Sequence, residues 1–303
     1  MQSVFLTATL LASISLANQV VSDALYVRST SSGNALKHHS TQTAPLRFSD
    51  DGTFQLSIFE DLHFGEIIRL GLVLDKEAPD LVVLNGDLIT GESTFLENST
   101  LYVDEIVAPL LERNLTWAST YGNDDNDVNI LTALIYAREH MWPNSRTTSM
   151  VADASADTSN YYLPVYGSDC AAAQNATLTA DEVADRCMPA LLLWFFDSRS
   201  GSYFQQRDAL GNKVPQLDWV DQSVVDWFRH TQAALLTKYG QLGRRLHGSS
   251  SSSATELILP SLGFVHIPTH ASYLLQTQTG FGVDPHREPG INDDDPLSPQ
   301  AQN

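Results

Sequence analysis

Four separated stretches of this 303-residue chain pair an apolar run with side chains that bind metal ions. Asp61-Leu62-His63 follows Leu56 to Phe59, and Gly86-Asp87 follows Leu81 to Asn85. Gly122-Asn123 follows Trp117 to Tyr121, and His266 follows Leu262 to Val265. Carboxylate, imidazole and amide oxygen together suit borderline or hard cations such as Zn, Fe, Mn or Mg. A glycine before the ligand allows a turn tight enough to aim it. Taken singly, Asp61 with His63 reads as turn chemistry, Asn85-Gly86-Asp87 as a polar turn and His266 as a core histidine. Taken in order, they place each candidate at the carboxyl end of a strand, where α/β folds present their sites.

The elements that must hold these residues are legible in the apolar spacing. Phe54 to Phe59 and Leu81 to Leu84 predict strands, with a helix over Ile67 to Glu77 between them that stops before Pro79. Phe95 to Leu111 and Asn129 to His140 predict helices around a strand at Leu115 to Thr120. Leu191 to Phe196 predicts a buried strand. Asp218 is a candidate cap for a helix to Lys238, with Val220, Val224, Trp227, Phe228, Thr231 and Leu235 on one face. Leu257 to Ile267 has strand composition, beyond a serine run at 248–254 that reads as a solvated linker. The class is mixed α/β.

This series of Asp-X-His, Gly-Asp, Gly-Asn and a histidine ending a strand resembles the calcineurin-like metallophosphoesterases, which include the purple acid phosphatases. The neighbouring residues are similar to a fungal branch of that family: Phe59 to Glu66, Leu84 to Ile89, Leu191 to Ser198 and Phe264 to Pro268. The resemblance implies a four-layer α/β/β/α sandwich with two divalent or trivalent metal ions at the strand ends. It implies Asp61, His63 and Asp87 on one ion, and Asp87, Asn123 and His266 on the other, with Asp87 bridging. Such a pair, about 3.5 to 4 Å apart, shares a hydroxide that attacks a phosphate ester in line. The implied activity is a phosphoric ester hydrolase.

Two departures stand against this. The family has a histidine after Gly-Asn that stabilises the transition state or protonates the leaving group, and here that position is Asp124. A carboxylate beside two cations stays ionised, so it is a poor proton donor and repels phosphate; losing general acid catalysis costs about 10²–10⁴-fold. The family also closes its site with Gly-His-X-His, which is absent after His266; His270 and His286 read as loop histidines rather than substitutes. The phosphoesterase sandwich is therefore expected to be incomplete at its C-terminal end and impaired. A non-catalytic secreted glycoprotein that keeps the scaffold for binding is the alternative, and a paired-carboxylate protease or glycosidase is a weaker third reading.

Composition bounds the partners. With 43% hydrophobic and 17% charged residues the chain is globular, and its net charge of −19 disfavours a nucleic-acid partner. Residues 1–24, with an apolar run from Phe5 to Ala17, read as a signal peptide, or else as an amphipathic or buried helix. Residues 25–50 read as a loose arm and 51–303 as the phosphoesterase domain, with an acidic, proline-rich end from Asp284. Sequons at Asn98, Asn114 and Asn175 and the pair Cys170 and Cys187, a candidate disulfide, accord with secretion or a vacuolar destination. No second apolar run is long enough to span a membrane after signal removal.

Overall fold

The computed structural model describes residues 5–8, 44–63, 67–175, 177–247 and 257–269. The first sheet holds β1 (Phe5–Ala8), β3 (Gln55–Phe59), β4 (Leu81–Asn85) and β5 (Trp117–Thr120) in that order, every pairing parallel. The second holds β10 (Ser261–Val265), β7 (Pro189–Phe196), β6 (Tyr161–Tyr166) and β2 (Leu46–Arg47). There β6 and β7 run antiparallel, whereas β10 is parallel to β7 and β2 to β6. A two-stranded ribbon, β8 (Ser202–Arg207) with β9 (Lys213–Pro215), stands apart.

Alternation along the central strands decides how these sheets stack. Leu81 and Val83 of β4 join Leu191, Leu193 and Phe195 of β7 in one buried cluster, so the two sheets pack face to face. Val82 and Leu84 point the other way, into a cluster with Leu70 and Leu74 of α1 (Ile67–Glu77) and Ile106, Val107 and Leu110 of α2 (Tyr102–Glu112). On the far side Leu192 and Trp194 meet Leu235, Tyr239 and Leu242 of α5 (Gln222–His247). The layers are therefore helix, sheet, sheet, helix, the predicted sandwich. Both faces of β4 and β7 are covered, which is why these strands read as unbroken apolar runs rather than alternating ones.

Local chemistry moved several boundaries. The helix expected from Phe95 begins at Tyr102, because the Asn98 side chain accepts the Phe95 N–H at 3.2 Å and holds a turn there. The helix expected from Asn129 is α3 (Thr132–Glu139); Asp127 and Ile130 pair with each other, and the Asn129 amide donates to Thr94 O at 2.9 Å. The cap of α5 is Asp221 rather than Asp218, since its carboxylate accepts the Ser223 N–H at 2.9 Å, and the helix runs on to His247. A short α4 (Ala180–Ala184) opens with a capping box between Thr179 and Glu182. The strand β6 and the ribbon went unpredicted: β6 contains Pro164 and breaks its alternation, and the ribbon is mostly exposed.

At the amino end, Phe5–Ala8 lies within the expected leader and Leu46–Arg47 within the expected arm; both pair into sheets. The rest of the leader and arm, the serine run, His270, His286 and the acidic end lie outside the described residues. No helix among the described residues is long and apolar enough to cross a membrane.

Cys170 and Cys187 form a disulfide that encloses α4 across a separation of 17 residues. Replacing both with serine should cost about 3 kcal/mol through freer loop motion in the unfolded chain. A urea midpoint that did not move would show that the bridge constrains nothing the fold lacks already.

Candidate metal centre

The first sheet is parallel, so β3, β4 and β5 all release their chains at the same edge. β10 delivers its end to that edge from the second sheet, where its neighbour β7 also ends. Asp61, His63, Asp87, Asn123 and His266 therefore stand in four loops at one end of the sandwich. Asp61, His63 and Asp87 offer ligand atoms that all lie within 4.8 Å of one another. His63 Nε2 is 3.8 Å from Asp87 Oδ2, and His266 Nε2 is 3.3 Å from the same oxygen. Two imidazoles from different sheets thus aim the same nitrogen at one carboxylate oxygen. The Asp61 carboxylate joins them, 3.5 Å from His63 Nε2.

Backbone strain and missing side chains make this convergence feasible. Asp61, His63 and Asp87 all hold left-handed backbone, with φ of 54°, 41° and 48°. Such residues cost of order 1–3 kcal/mol each and cluster at functional sites. Their N–H groups are used: Asp61 N–H donates to Gly86 O and His63 N–H to Asp87 O, both at 3.1 Å, which ties the first two ligand loops together. At Gly86, with φ of 95°, a β-carbon would sit 2.5 Å from the His266 ring. At Gly122 it would overlap the Asp87 carboxylate and come within 2.7 Å of His266 Cδ2. Gly122→Ala is accordingly expected to displace Asp87 and lower metal affinity by roughly tenfold or more. Gly240→Ala, in α5 with open space around it, is the control that should leave affinity unchanged.

Asp125 is the residue that sequence reasoning missed. Its fully buried carboxylate accepts N–H groups from Leu88 at 3.2 Å, Ile89 at 2.9 Å and Gly122 at 2.9 Å, so it fastens the Asp87 loop to the Asn123 loop. Burial, reinforced by the charge of Asp87, pushes its pKa up to about 7. The only signal in the sequence was its place in Asn123-Asp124-Asp125, where it looks like one more turn acid.

The electrostatics of the metal-free site call for positive charge. Burial opposes protonation of His266, but hydrogen bonds and attraction from Asp87 and Glu60 outweigh it and push the pKa up to about 11. His63 is raised too, chiefly by its contact with Asp61, and Asp61 is lowered chiefly by the same contact. Asp124 is raised, first by burial and then by the charge of Asp87. A bound cation would meet the same demand and act on Asp124 in the opposite direction. The donor set fits a metal on these grounds. It consists of convergent imidazole nitrogens and carboxylates in a site whose acidic neighbours raise the pKa of both histidines.

Three relatives match at the sequence level. "Probable inactive purple acid phosphatase 28" of Arabidopsis thaliana is 28% identical over 267 residues, covering 78% of this chain and 58% of its own length. "Probable inactive purple acid phosphatase 29" of the same plant is 24% identical over 255 residues, covering 75% of this chain and 57% of its own length. The chain is similar to purple-acid-phosphatase-like phosphoesterases. "Phosphatase DCR2" of Saccharomyces cerevisiae is a third relative, 25% identical over 202 residues, 59% of this chain and 31% of its own length. The chain thus spans a little over half the length of the plant phosphatase relatives and under a third of the yeast one. No family model and no solved structure matches it.

Set beside these relatives, the candidate site has an uneven geometry. The triad of Asp61, His63 and Asp87 is the group of metal-capable side chains found among the described residues. His266 joins it through Asp87 Oδ2. Asn123 lies in the adjoining loop, where its amide nitrogen donates to Asp124 Oδ1 at 3.0 Å.

Proposed function

We propose that this chain is a metal-dependent phosphoric ester hydrolase of reduced turnover, acting at a two-cation site. Asp61, His63 and Asp87 would hold one ion and Asp87, Asn123 and His266 the other, with Asp87 between them. The observation that carries the reading is the convergence of His63 Nε2 and His266 Nε2 on Asp87 Oδ2. When bound, such cations supply a hydroxide nucleophile and neutralise charge on the phosphate. The chain's own residues do the rest. Asp125 holds two ligand loops in register, and Gly86 and Gly122 leave room for the His266 ring.

Asp124 is what limits turnover in this reading. Its carboxylate stands 3.4 Å from His63 Nδ1 and occupies the position where the family offers an imidazole, so the proton donor to the leaving group is missing. In the full chain, aryl-phosphate hydrolysis should be weak but metal-dependent, and at saturating metal Asp124→His should raise it about 10²-fold, the lower end of general acid catalysis. Metal content, measured on the same samples, keeps binding and turnover apart.

The second reading is a non-catalytic scaffold that binds phosphate. It is favoured by Asp124 itself and by the word "inactive" in the names of both plant relatives. Metal and phosphate binding without turnover, in both the native chain and Asp124→His, would decide for it. Passage through the secretory pathway belongs to either reading and is supported by the disulfide. Asn114 and Asn175 are exposed, as an attached glycan requires. A mass decrease on glycosidase treatment of secreted protein tests this; an unchanged mass overturns it.

A further inference from the structure

We propose that Asp124 and Glu60 are positioning residues, each set behind one of the two metal-facing histidines. The inference rests on the metal-site reading above and goes beyond it, because it assigns to Asp124 a task other than contact with substrate. Each histidine directs Nε2 at Asp87 Oδ2 and so has Nδ1 left over on the outer side of its ring. His63 Nδ1 lies 3.0 Å from Thr90 Oγ1 and 3.4 Å from Asp124 Oδ2. His266 Nδ1 lies 3.0 Å from Asn85 O and 3.2 Å from Glu60 Oε1. The two environments match: one neutral oxygen at hydrogen-bond distance and one carboxylate beside it.

That arrangement determines which nitrogen carries the proton. A backbone carbonyl such as Asn85 O only accepts, so the proton of neutral His266 belongs on Nδ1 and the lone pair on Nε2, towards the metal. The carboxylate behind each ring holds its orientation and raises its basicity as a ligand. Glu60 is fastened for this purpose by the Asn85 amide, which donates to Glu60 Oε1 at 3.1 Å and to Val265 O at 3.2 Å.

Asp124 is fastened more firmly still. Its N–H donates to Asp87 Oδ1 at 2.8 Å, its Oδ1 accepts from Asn123 Nδ2 at 3.0 Å, and its Oδ2 faces His63. One residue thereby touches three of the five candidate ligands. Both of its carboxylate oxygens are engaged with ligand side chains, which is the posture of a residue that sets ligand geometry. An imidazole at position 124 would have to give up one of these contacts.

The test uses the full chain loaded with Co(II), whose paramagnetism shifts the exchangeable ring N–H protons of bound histidines far from the other resonances. Two such protons are expected in the native protein, one from each Nδ1. Asp124→Ala should shift or remove one, Glu60→Ala the other, and each should lower Co(II) affinity about 10–100-fold. Asp124→Asn and Glu60→Gln, which keep an acceptor oxygen, should restore part of that loss. Both sites are partly exposed, and matching circular dichroism and metal-free melting would confirm that the variants fold. Native affinity and both native N–H resonances in the two alanine variants would overturn the assignment while the metal-site reading stood. A native chain that bound no Co(II) would overturn both.

Discussion

Asp87→Asn should abolish stoichiometric metal binding. Asp87 Oδ2 is the oxygen on which both histidine Nε2 atoms converge, at 3.8 Å for His63 and 3.3 Å for His266. Its other oxygen is committed to the Asp124 N–H at 2.8 Å. An asparagine that preserved the latter bond would turn an NH₂ group towards the imidazoles, where a cation needs an acceptor. The loss should exceed the roughly 10–100-fold cost of removing an outer-shell partner. Titration with Mn(II) or Zn(II), followed by metal analysis after gel filtration, measures it. Retention of the native metal content by Asp87→Asn would remove the central observation on which the proposed function stands. In the metal-free chain the same change takes away the hydrogen bond and attraction that help hold the His266 pKa near 11, so that pKa should fall.

The largest effect on stability is expected at Trp194, far from the metal centre. Its indole is 2% exposed and forms the middle of an aromatic group. Ring centroids lie 4.7 Å from Phe228, 5.1 Å from Tyr162 and 5.7 Å from Trp227. These contacts fix α5 against the second sheet, and Leu192 with Leu235, Tyr239 and Leu242 completes the same cluster. Trp194→Ala should cost about 3–5 kcal/mol, the usual range for emptying a buried tryptophan site. A denaturant midpoint shift worth under about 1 kcal/mol would mean that the α5 layer is loosely held. Metal affinity should fall much less than stability, because Trp194 faces α5 while Phe195, on the opposite face of β7, packs on Phe264 of the strand that leads to His266.

Much of this molecule could be read one residue at a time. Strands β4 and β7 announce themselves as apolar runs because both of their faces are buried, and α1 matches its expected span of Ile67–Glu77. Asp61, His63, Asp87, Asn123 and His266 were legible because each follows a strand, and a glycine or a short turn marks the aim. The ribbon of β8 and β9 was not legible, since a mostly exposed pair leaves little apolar pattern. Nor was β2, whose two residues are held by their partner β6 rather than by local preference.

The residue types, their order after successive strands and the pairing of apolar faces are properties of the chain as written, and they determined the class of fold and the kind of metal chemistry proposed for it. Only the tertiary structure decided that His63 and His266, 203 positions apart, aim the same nitrogen at one oxygen of Asp87. It alone set the Asp124 carboxylate beside His63 and Asn123, and it alone revealed Asp125 as the clasp between two loops. The reason is physical: spacing along a strand dictates which face a side chain takes, whereas the partner of a hydrogen bond depends on which distant loop the sheets bring within about 3 Å.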